Sequence, residues 1–402
     1  MKMVFFCHPA FMRSQSMPRF ARMVGEAMRA RGHDVAYWAP EGRCHAHFKG
    51  TRLEKWAGYV DQYVLFPLEI RRRLRETDPN TLFVFCDQAL GPWVPLVKHR
   101  PHVVHAHDLL ALRSALGLIP QNPTSWSGRL YQRYIRHGFR QAQHFIAVSK
   151  RTQAELTQYG QTRPGSSIVV YNGLNHPYRA MAVPSALQTL HHAGVPVTER
   201  GMVLHVGGDQ WYKNTAGVVR LYAEYVKTCD QSGTDPLPLL MVSPLPKRPD
   251  VLTALEAVPA TGQVRFCQGI DNTTLEAAYS LAKAFLFPSL AEGFGWPIIE
   301  SQICGCPVIT TDDAPMNEIG GPGAYYLPLL TPADDPVEWA AQGARVLLKA
   351  LQDDLSADAR AAREKRIAWA QNFTAERALQ GYEAVYRDVC SNSSTFSTIM
   401  YS

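Results

Sequence analysis

The stretch Ala284-Phe-Leu-Phe-Pro-Ser-Leu-Ala-Glu292-Gly-Phe-Gly-Trp-Pro-Ile-Ile-Glu300 decides how the rest of the chain is read. Ala284 to Phe287 is apolar and aromatic, the composition of a buried parallel strand. The strand breaks at Pro288-Ser289 and passes into the loop Glu292-Gly293-Phe294-Gly295. Pro297 stands where a first helical residue belongs, and Gly305 follows as the helix stop. Glycines in such a loop let backbone N–H groups come close to a ligand. The helix start behind them favours negative charge, so the unit suits a diphosphate. Glu292 is expected at the loop mouth and Glu300 two turns into the helix, placed to accept hydrogen bonds from separate sets of sugar hydroxyls.

The residues that follow, Cys306-Pro-Val-Ile-Thr-Thr311, read as the next strand. The glycines and glutamates therefore belong to a strand–loop–helix unit rather than to an arbitrary turn. In that context the stretch resembles the donor-site signature of the retaining, family 4 glycosyltransferases of the GT-B fold. The resemblance is strongest from Gly201 to Leu330, and Ile146-Ala-Val-Ser149 and Val170-Tyr-Asn-Gly173 share it. It implies an α/β architecture: two Rossmann-like, doubly wound parallel-sheet domains facing across a cleft.

The remainder of the sequence agrees with that architecture. A chain of 402 residues with 46% apolar content is long enough for two or three cored domains. Six short β-rich runs are expected in the first half: Met3–Cys7, Asp34–Trp38, Thr81–Cys86, His102–His105, His144–Val148 and Ile168–Tyr171. Six more follow: Met202–Val206, Leu237–Val242, Gln263–Cys267, Ala284–Phe287, Pro307–Thr310 and Ala324–Leu327. Helical stretches such as Pro18–Arg31, Arg129–Gln141 and Thr215–Thr228 separate them, so strand–helix alternation occurs twice. A capping box, Thr273 with Glu276, is expected to open the helix Thr274–Lys283. The expected domains are 1–178, on the acceptor side, and 179–368, on the donor side, with the linker at 179–200. By resemblance, helices in 369–390 cross back to the first domain.

Composition narrows the setting. No apolar run approaches the roughly 20 residues that span a bilayer. The N-terminal Met-Val-Phe-Phe-Cys leads straight into a strand with no cleavage site, so a cytoplasmic protein is expected. The eight cysteines are scattered in apolar contexts, and Cys304-Gly-Cys306 lacks partners at zinc spacing, so no metal is expected. Residues 1–178 carry 24 Lys and Arg against 11 Asp and Glu, a charge of +13, while the remainder carries −7. Arg71, Arg72, Arg73 and Arg75 make an anionic membrane surface, at the inner face of the membrane, or a phosphate-bearing acceptor a candidate partner. The basic residues are interleaved with strands and form no known nucleic-acid module, so no nucleic-acid partner is expected.

Three further constellations carry chemistry. His105-Ala-His107-Asp108 ends a strand, and period two sets both histidines on one face. A metal pair, with His8 as a further ligand, is one reading; a packed or capping role is another. The resemblance instead makes His107 the active-site histidine that contacts the donor sugar. The second is His205-Val-Gly207-Gly208-Asp-Gln-Trp-Tyr-Lys213-Asn214, where Lys213 near a helix start supplies a mobile charge for a pyrophosphate. The family loop usually carries an arginine as well. None lies between Gly207 and Lys213, leaving backbone amides of Gly207 and Gly208 or another residue to serve the second phosphate. The third is the first loop, with Arg13 and Ser16 as acceptor-side candidates, Ser16 as a helix cap and Pro18 as a helix start.

The resemblance implies retention at the anomeric carbon with no cofactor and no required metal. The donor is a nucleotide-diphosphate sugar, GDP-mannose or a UDP-hexose. The acceptor is a glycan or lipid-linked saccharide of cell-surface polysaccharide synthesis. Glu292, Gly293, Phe294 and Gly295 then hold sugar hydroxyls, Glu300 the ribose, and Lys213 the diphosphate. A nucleotide-sugar epimerase of the same fold is the competing enzyme reading; it releases the sugar instead of passing it on.

Overall fold

Twelve short runs, most of them apolar, form twelve parallel strands in the computed structural model, which describes residues 1–12 and 16–400, with side chains as far as Ser391. The chain divides into two units, one comprising Met1–Tyr171 and the chain from Glu376, the other Asn172–Ala375.

The first unit holds a sheet ordered β2-β1-β3-β4-β5-β6. Its strands are β1 (Lys2–Phe6), β2 (Asp34–Trp38), β3 (Leu82–Phe85), β4 (His102–Ala106), β5 (His144–Ala147) and β6 (Ser166–Val169). Both faces are covered, so alternate residues enter different cores. Val4, Phe6, Phe83 and Phe85 pack with Trp93, Ile135 and Phe139. Met3, Phe5, Leu82 and Val84 pack with Phe20 and Val24 of helix Ser16–Ala30, and with Tyr382, Tyr386 and Val389 of helix Ala375–Met400. Continuous apolar strands, rather than alternating ones, are what a parallel sheet buried on two faces requires.

The second unit repeats the scheme with the order β12-β11-β10-β7-β8-β9. Its strands are β7 (Met202–Val206), β8 (Leu239–Val242), β9 (Val264–Cys267), β10 (Ala282–Phe287), β11 (Val308–Thr311) and β12 (Tyr325–Leu327). One face is closed by helices Thr215–Ser232 and Pro336–Asp353 through Val218, Tyr222, Trp339 and Leu347. In each sheet the strand order reverses once, between β1 and β3 and between β7 and β10. Loops leaving the carboxyl ends of those strand pairs diverge, and such a switch point is where doubly wound sheets bind ligands.

Several local expectations are corrected. The helix before β10 is Asn272–Leu281, and its cap is Asp271, whose Oδ1 accepts the Thr274 N–H at 2.8 Å. Thr273 and Glu276 therefore form no box; the Glu276 carboxylate lies 3.3 Å from His176 Nε2. Ser16 lies within the described helix Ser16–Ala30 rather than capping it. The proline-containing stretch taken as linker carries a helix, Val183–His192, that packs on Asn272–Leu281 within the second unit. Trp369 also stays with the second unit, where its indole N–H donates to the Ile319 carbonyl at 2.7 Å. No helix among the described residues is long and apolar enough to cross a membrane.

Candidate functional site

At the switch point of the second unit, the loops after β7 and β10 are stapled together. The Leu290 N–H donates to the Tyr212 carbonyl at 2.7 Å, and Asn214 Nδ2 donates to the Pro288 carbonyl at 3.0 Å. Asn214 adopts a left-handed conformation (φ 52°), one that asparagine tolerates better than most residues. Lys213 Nζ then reaches Glu292 Oε1 at 2.7 Å, and the ammonium lies 4.9 Å from the centre of the Phe287 ring. The pair is mostly shielded from water, which strengthens it beyond a surface ion pair.

The neighbouring strand holds the floor of this site. Thr310 Oγ1 donates to the Phe287 carbonyl at 2.8 Å and Thr311 Oγ1 to the Ser289 carbonyl at 2.7 Å. From the other side His205 Nδ1–H donates to the Leu286 carbonyl at 2.8 Å. Burial lowers the His205 pKa to about 4, so the ring is neutral and its Nε2 is an acceptor. That Nε2 is buried without a partner. A Cβ on Gly207 would stand 2.8 Å from it, which accounts for glycine there.

Gly295 opens helix Trp296–Ile303 at φ 102°, a value that excludes nearly every side chain. Pro297 is the second helical residue rather than the first, and Glu300 is the fifth, one turn in rather than two. Gly305 does end the helix: Cys306 N–H bonds the Ser301 carbonyl and Gly305 N–H the Gln302 carbonyl, a Schellman closure. Glu300 is buried and accepts a hydrogen bond from Tyr279 Oη at 3.0 Å. Burial raises its pKa to about 7, against the opposing pull of that bond and of the Lys213 charge. Phe294 is buried between Trp296 and Phe373, so only its backbone is offered to a ligand.

The first unit has its own polar pair at the corresponding place. His8, after β1, lies with Nε2 2.9 Å from Asp87 Oδ2, after β3. Asp87 also caps the helical segment Gln88–Leu96 through the Ala89 N–H. Burial works against the Asp87 charge, yet the hydrogen bond with His8, the nearby His8 and His107 imidazoles and the Ala89 amide hold its pKa below the ordinary value.

His107 stands just beyond β4. Its Nε2 lies 2.9 Å from the Cys86 carbonyl, so that nitrogen carries the proton. Burial lowers its pKa, opposed by Asp87 and the Cys86 carbonyl; the neutral ring therefore presents Nδ1 as an acceptor. Gln88 fixes the loop by accepting the His107 N–H at 3.0 Å and donating to the Asp108 carbonyl at 2.6 Å. Asp108 Oδ1 accepts the Leu110 N–H at 2.9 Å from the residue before the cap, which is Leu109. His105 shares the face of His107, since Phe20 meets both rings edge-on, but its Nε2 lies 2.7 Å from the Tyr386 hydroxyl.

The second-unit candidates Gly207, Gly208, Lys213, Glu292, Gly293, Gly295 and Glu300 thus lie on two adjoining loops and the helix behind them. His107 belongs to the first unit. Ser16 is exposed in helix Ser16–Ala30, and Arg13 lies outside the described residues. Among the described residues, no three His, Cys, Asp or Glu side chains are grouped to hold a metal ion. Asp87, Gln88, Tyr279 and the Thr310–Thr311 pair were not legible as site residues. Each acts through a partner distant in sequence.

Comparison with known proteins agrees in both halves. Residues 17–176 match Glycosyltransferase Family 4, and residues 200–349 match Glycosyl transferases group 1. The chain is 28% identical over 156 residues to O-antigen chain mannosyltransferase B of Escherichia coli, covering 39% of this chain and 38% of that protein. It is 27% identical over 237 residues to a D-inositol 3-phosphate glycosyltransferase of Acidothermus cellulolyticus, covering 55% and 51%. The matches thus span between about two fifths and one half of these relatives' lengths. Sucrose-phosphate synthase from Thermosynechococcus elongatus superimposes with a TM-score of 0.68 at 16% identity, over 98% of this chain and 100% of that one. HepE from Anabaena, solved with UDP, gives 0.66 at 16% identity, over 96% and 100%. With a family match in each half, twelve parallel strands in two switch-point sheets and solved GT-B neighbours, the chain belongs to the group 1, family 4 glycosyltransferases and has the GT-B fold.

Proposed function

We propose that the enzyme is a retaining hexosyltransferase that uses a nucleotide-diphosphate sugar as donor and a glycan or lipid-linked saccharide as acceptor. The observation that carries this reading is the stapled pair of loops at the β7/β10 switch point, where a lysine, a carboxylate, backbone glycines and a helix start converge. Lys213, the Gly207–Gly208 backbone and the start of helix Trp296–Ile303 meet the diphosphate. Glu292 and the backbone of 293–295 meet sugar hydroxyls, and Glu300 meets the ribose. His107 Nδ1 accepts a hydroxyl of the transferred sugar.

In the reaction, the bond from the anomeric carbon to the leaving phosphate oxygen breaks and a bond to the acceptor oxygen forms on the same face. The acceptor proton passes to the departing phosphate, giving the nucleoside diphosphate. The protein contributes positioning and fixed charges around a sugar with oxocarbenium character, with no metal or other cofactor in the scheme. Two O-antigen mannosyltransferases among the relatives favour mannose as the transferred sugar. GDP-mannose is therefore placed ahead of UDP-hexoses, and cell-surface polysaccharide as the product. The working location is the cytoplasmic side of a membrane carrying the acceptor.

The test is a thermal-shift and turnover screen against a nucleotide-sugar panel, with the anomeric configuration of the product read by NMR. A ligand at 100 times its Kd stabilises the protein by about 2.7 kcal/mol, which a melting curve resolves. A panel in which no nucleotide or nucleotide sugar shifts the melt overturns the donor reading, and an inverted product overturns retention.

A further inference from the structure

The first unit carries an exposed apolar stripe that the catalytic reading leaves unused. The chain from Glu54 to Leu74 is continuously helical, with a one-turn π-bulge at Asp61–Leu65. Trp56, Val60, Val64 and Leu68, four residues apart in succession, are all exposed on it, Trp56 by 66%. Beside it runs helix Trp126–Phe139, and the two meet along a tyrosine seam in which Tyr63 Oη and Tyr131 Oη are 2.6 Å apart. The second helix exposes Trp126, by 76%, together with Leu130 and Tyr134 at the same spacing. Of the other tryptophans, Trp38, Trp93 and Trp339 are buried and Trp211, Trp296 and Trp369 are half-buried. Two exposed on adjoining helices form an unpartnered patch, larger than scattered surface residues explain.

Charge identifies what covers it. Arg52 and Lys55 flank one end of the first stripe and Arg71, Arg72 and Arg75 the other, all exposed. Acidic residues of that segment are turned to internal use. Asp61 is buried and accepts the Cys44 and His45 N–H groups, Glu54 accepts the Gly50 N–H, and Glu69 pairs with Arg73. Arg73 itself lies over the Trp38 ring, so it belongs to the fold and not to the cationic rim. Along residues 109–154 there are seven Lys and Arg and no Asp or Glu. An apolar centre with tryptophans, edged mostly by cations with only Glu41 and Glu76 exposed near Leu68 and Arg75, complements a bilayer whose headgroups are anionic.

We propose that this face, formed by helices 54–74 and 126–139, seats the enzyme in the headgroup layer of an anionic membrane, with Trp56 and Trp126 as its insertion points. The inference deepens the lipid-linked acceptor reading and rests on it for its purpose. Binding combines apolar insertion with electrostatic attraction, so it is only partly removed by salt.

The test uses the full chain with phosphatidylglycerol and phosphatidylcholine vesicles. Expected are sedimentation with phosphatidylglycerol only and a blue shift of tryptophan emission. The double variant Val60→Glu with Val64→Glu should weaken binding at least tenfold. So should the triple variant Arg71→Gln, Arg72→Gln, Arg75→Gln, and neither should change the melting temperature or nucleotide-sugar hydrolysis. Vesicle binding without any nucleotide-sugar turnover would leave this inference standing and defeat the catalytic reading. Turnover without vesicle binding at low salt overturns the inference. So does binding that the glutamates leave intact and salt abolishes, since no insertion is then involved. Conversion of a dimer to a monomer by the glutamates, with vesicle binding unchanged, also overturns it in favour of a second copy of this chain.

Discussion

Lys213 Nζ and Glu292 Oε1 lie 2.7 Å apart, so the cation assigned to the diphosphate is already held by the carboxylate assigned to the sugar. Donor binding is then an exchange: the diphosphate takes the lysine and frees Glu292 for hydroxyls. Lys213→Ala should weaken nucleoside diphosphate binding about tenfold to a hundredfold, the range for a charge-assisted hydrogen bond of about 1.5–3 kcal/mol. Lys213→Arg should lose less. Glu292→Gln removes the competing anion, so calorimetry should find nucleoside diphosphate binding tightened a few-fold while kcat collapses. Weaker nucleotide binding in Glu292→Gln would mean that this residue touches the nucleotide rather than the sugar.

Glu300 gives the donor site a pH dependence. Its folded-state pKa is raised to about 7, so the buried carboxylate binds a proton that the unfolded chain releases near 4.5. The sign follows: the cost of its charge is absent below pH 4.5, grows as pH rises, and is complete above pH 7, amounting to about 3 kcal/mol as an upper bound. Glu300→Gln should therefore melt higher than wild type at pH 8 and equally at pH 4.5. Ribose hydroxyls donating to Glu300 favour its charged form, so wild-type nucleotide affinity should rise between pH 6 and 8. The variant should bind more weakly with no such slope. A pH-independent wild-type affinity removes Glu300 from the ribose site.

Buried imidazoles act in the opposite direction. Burial lowers His102 and His205 to about 4 and His105 to about 3. The unfolded chain protonates these rings near pH 6.5 while the folded chain resists, so their neutral burial is fully tolerated above 6.5 and loses stability as pH falls toward 4. Urea titrations should show several kcal/mol lost between pH 7 and pH 4.5, and His105→Gln should reduce that loss. An unchanged slope in His105→Gln would show that its ring is hydrated.

His107 separates binding from turnover. Its neutral Nδ1 is assigned to the sugar and not to the nucleotide, so His107→Ala should lower kcat by roughly a hundredfold, about 2.7 kcal/mol, and leave nucleoside diphosphate affinity unchanged. A parallel loss of both would indicate collapse of the Cys86–Gln88 loop, which the melting temperature detects independently.

The central strands were legible because a parallel sheet buried on both faces writes them as nearly uninterrupted apolar runs, whereas the edge strands β2, β6 and β9 are half-exposed and partly polar. All twelve expected runs overlap the observed strands, with ends differing by a few residues, as at Ile168–Tyr171 against Ser166–Val169. Boundaries set by a single side chain were less visible. Asp271 rather than Thr273 caps its helix, and Trp296 rather than Pro297 begins the next. The switch-point pairs were beyond sequence reading for a different reason. His8–Asp87 and Lys213–Glu292 each join residues 79 apart, and no periodicity or local motif links positions that only strand order brings together. Phe294 shows the same limit: the motif marks the residue, but its ring turns into the core.

The helix Ala375–Met400 has a consequence for the order in which the protein is made. Ala378, Tyr382, Tyr386 and Val389 complete the core around Met3, Phe5, Val84 and Val103, strands that leave the ribosome first. The intervening Asn172–Ala375 unit is contiguous and can close as soon as it emerges. At about 5–20 residues per second, one face of the N-terminal sheet therefore waits on the order of ten to forty seconds covered only by helix Ser16–Ala30. The unit begun first is the one finished last, and during that interval it is the natural client of a chaperone.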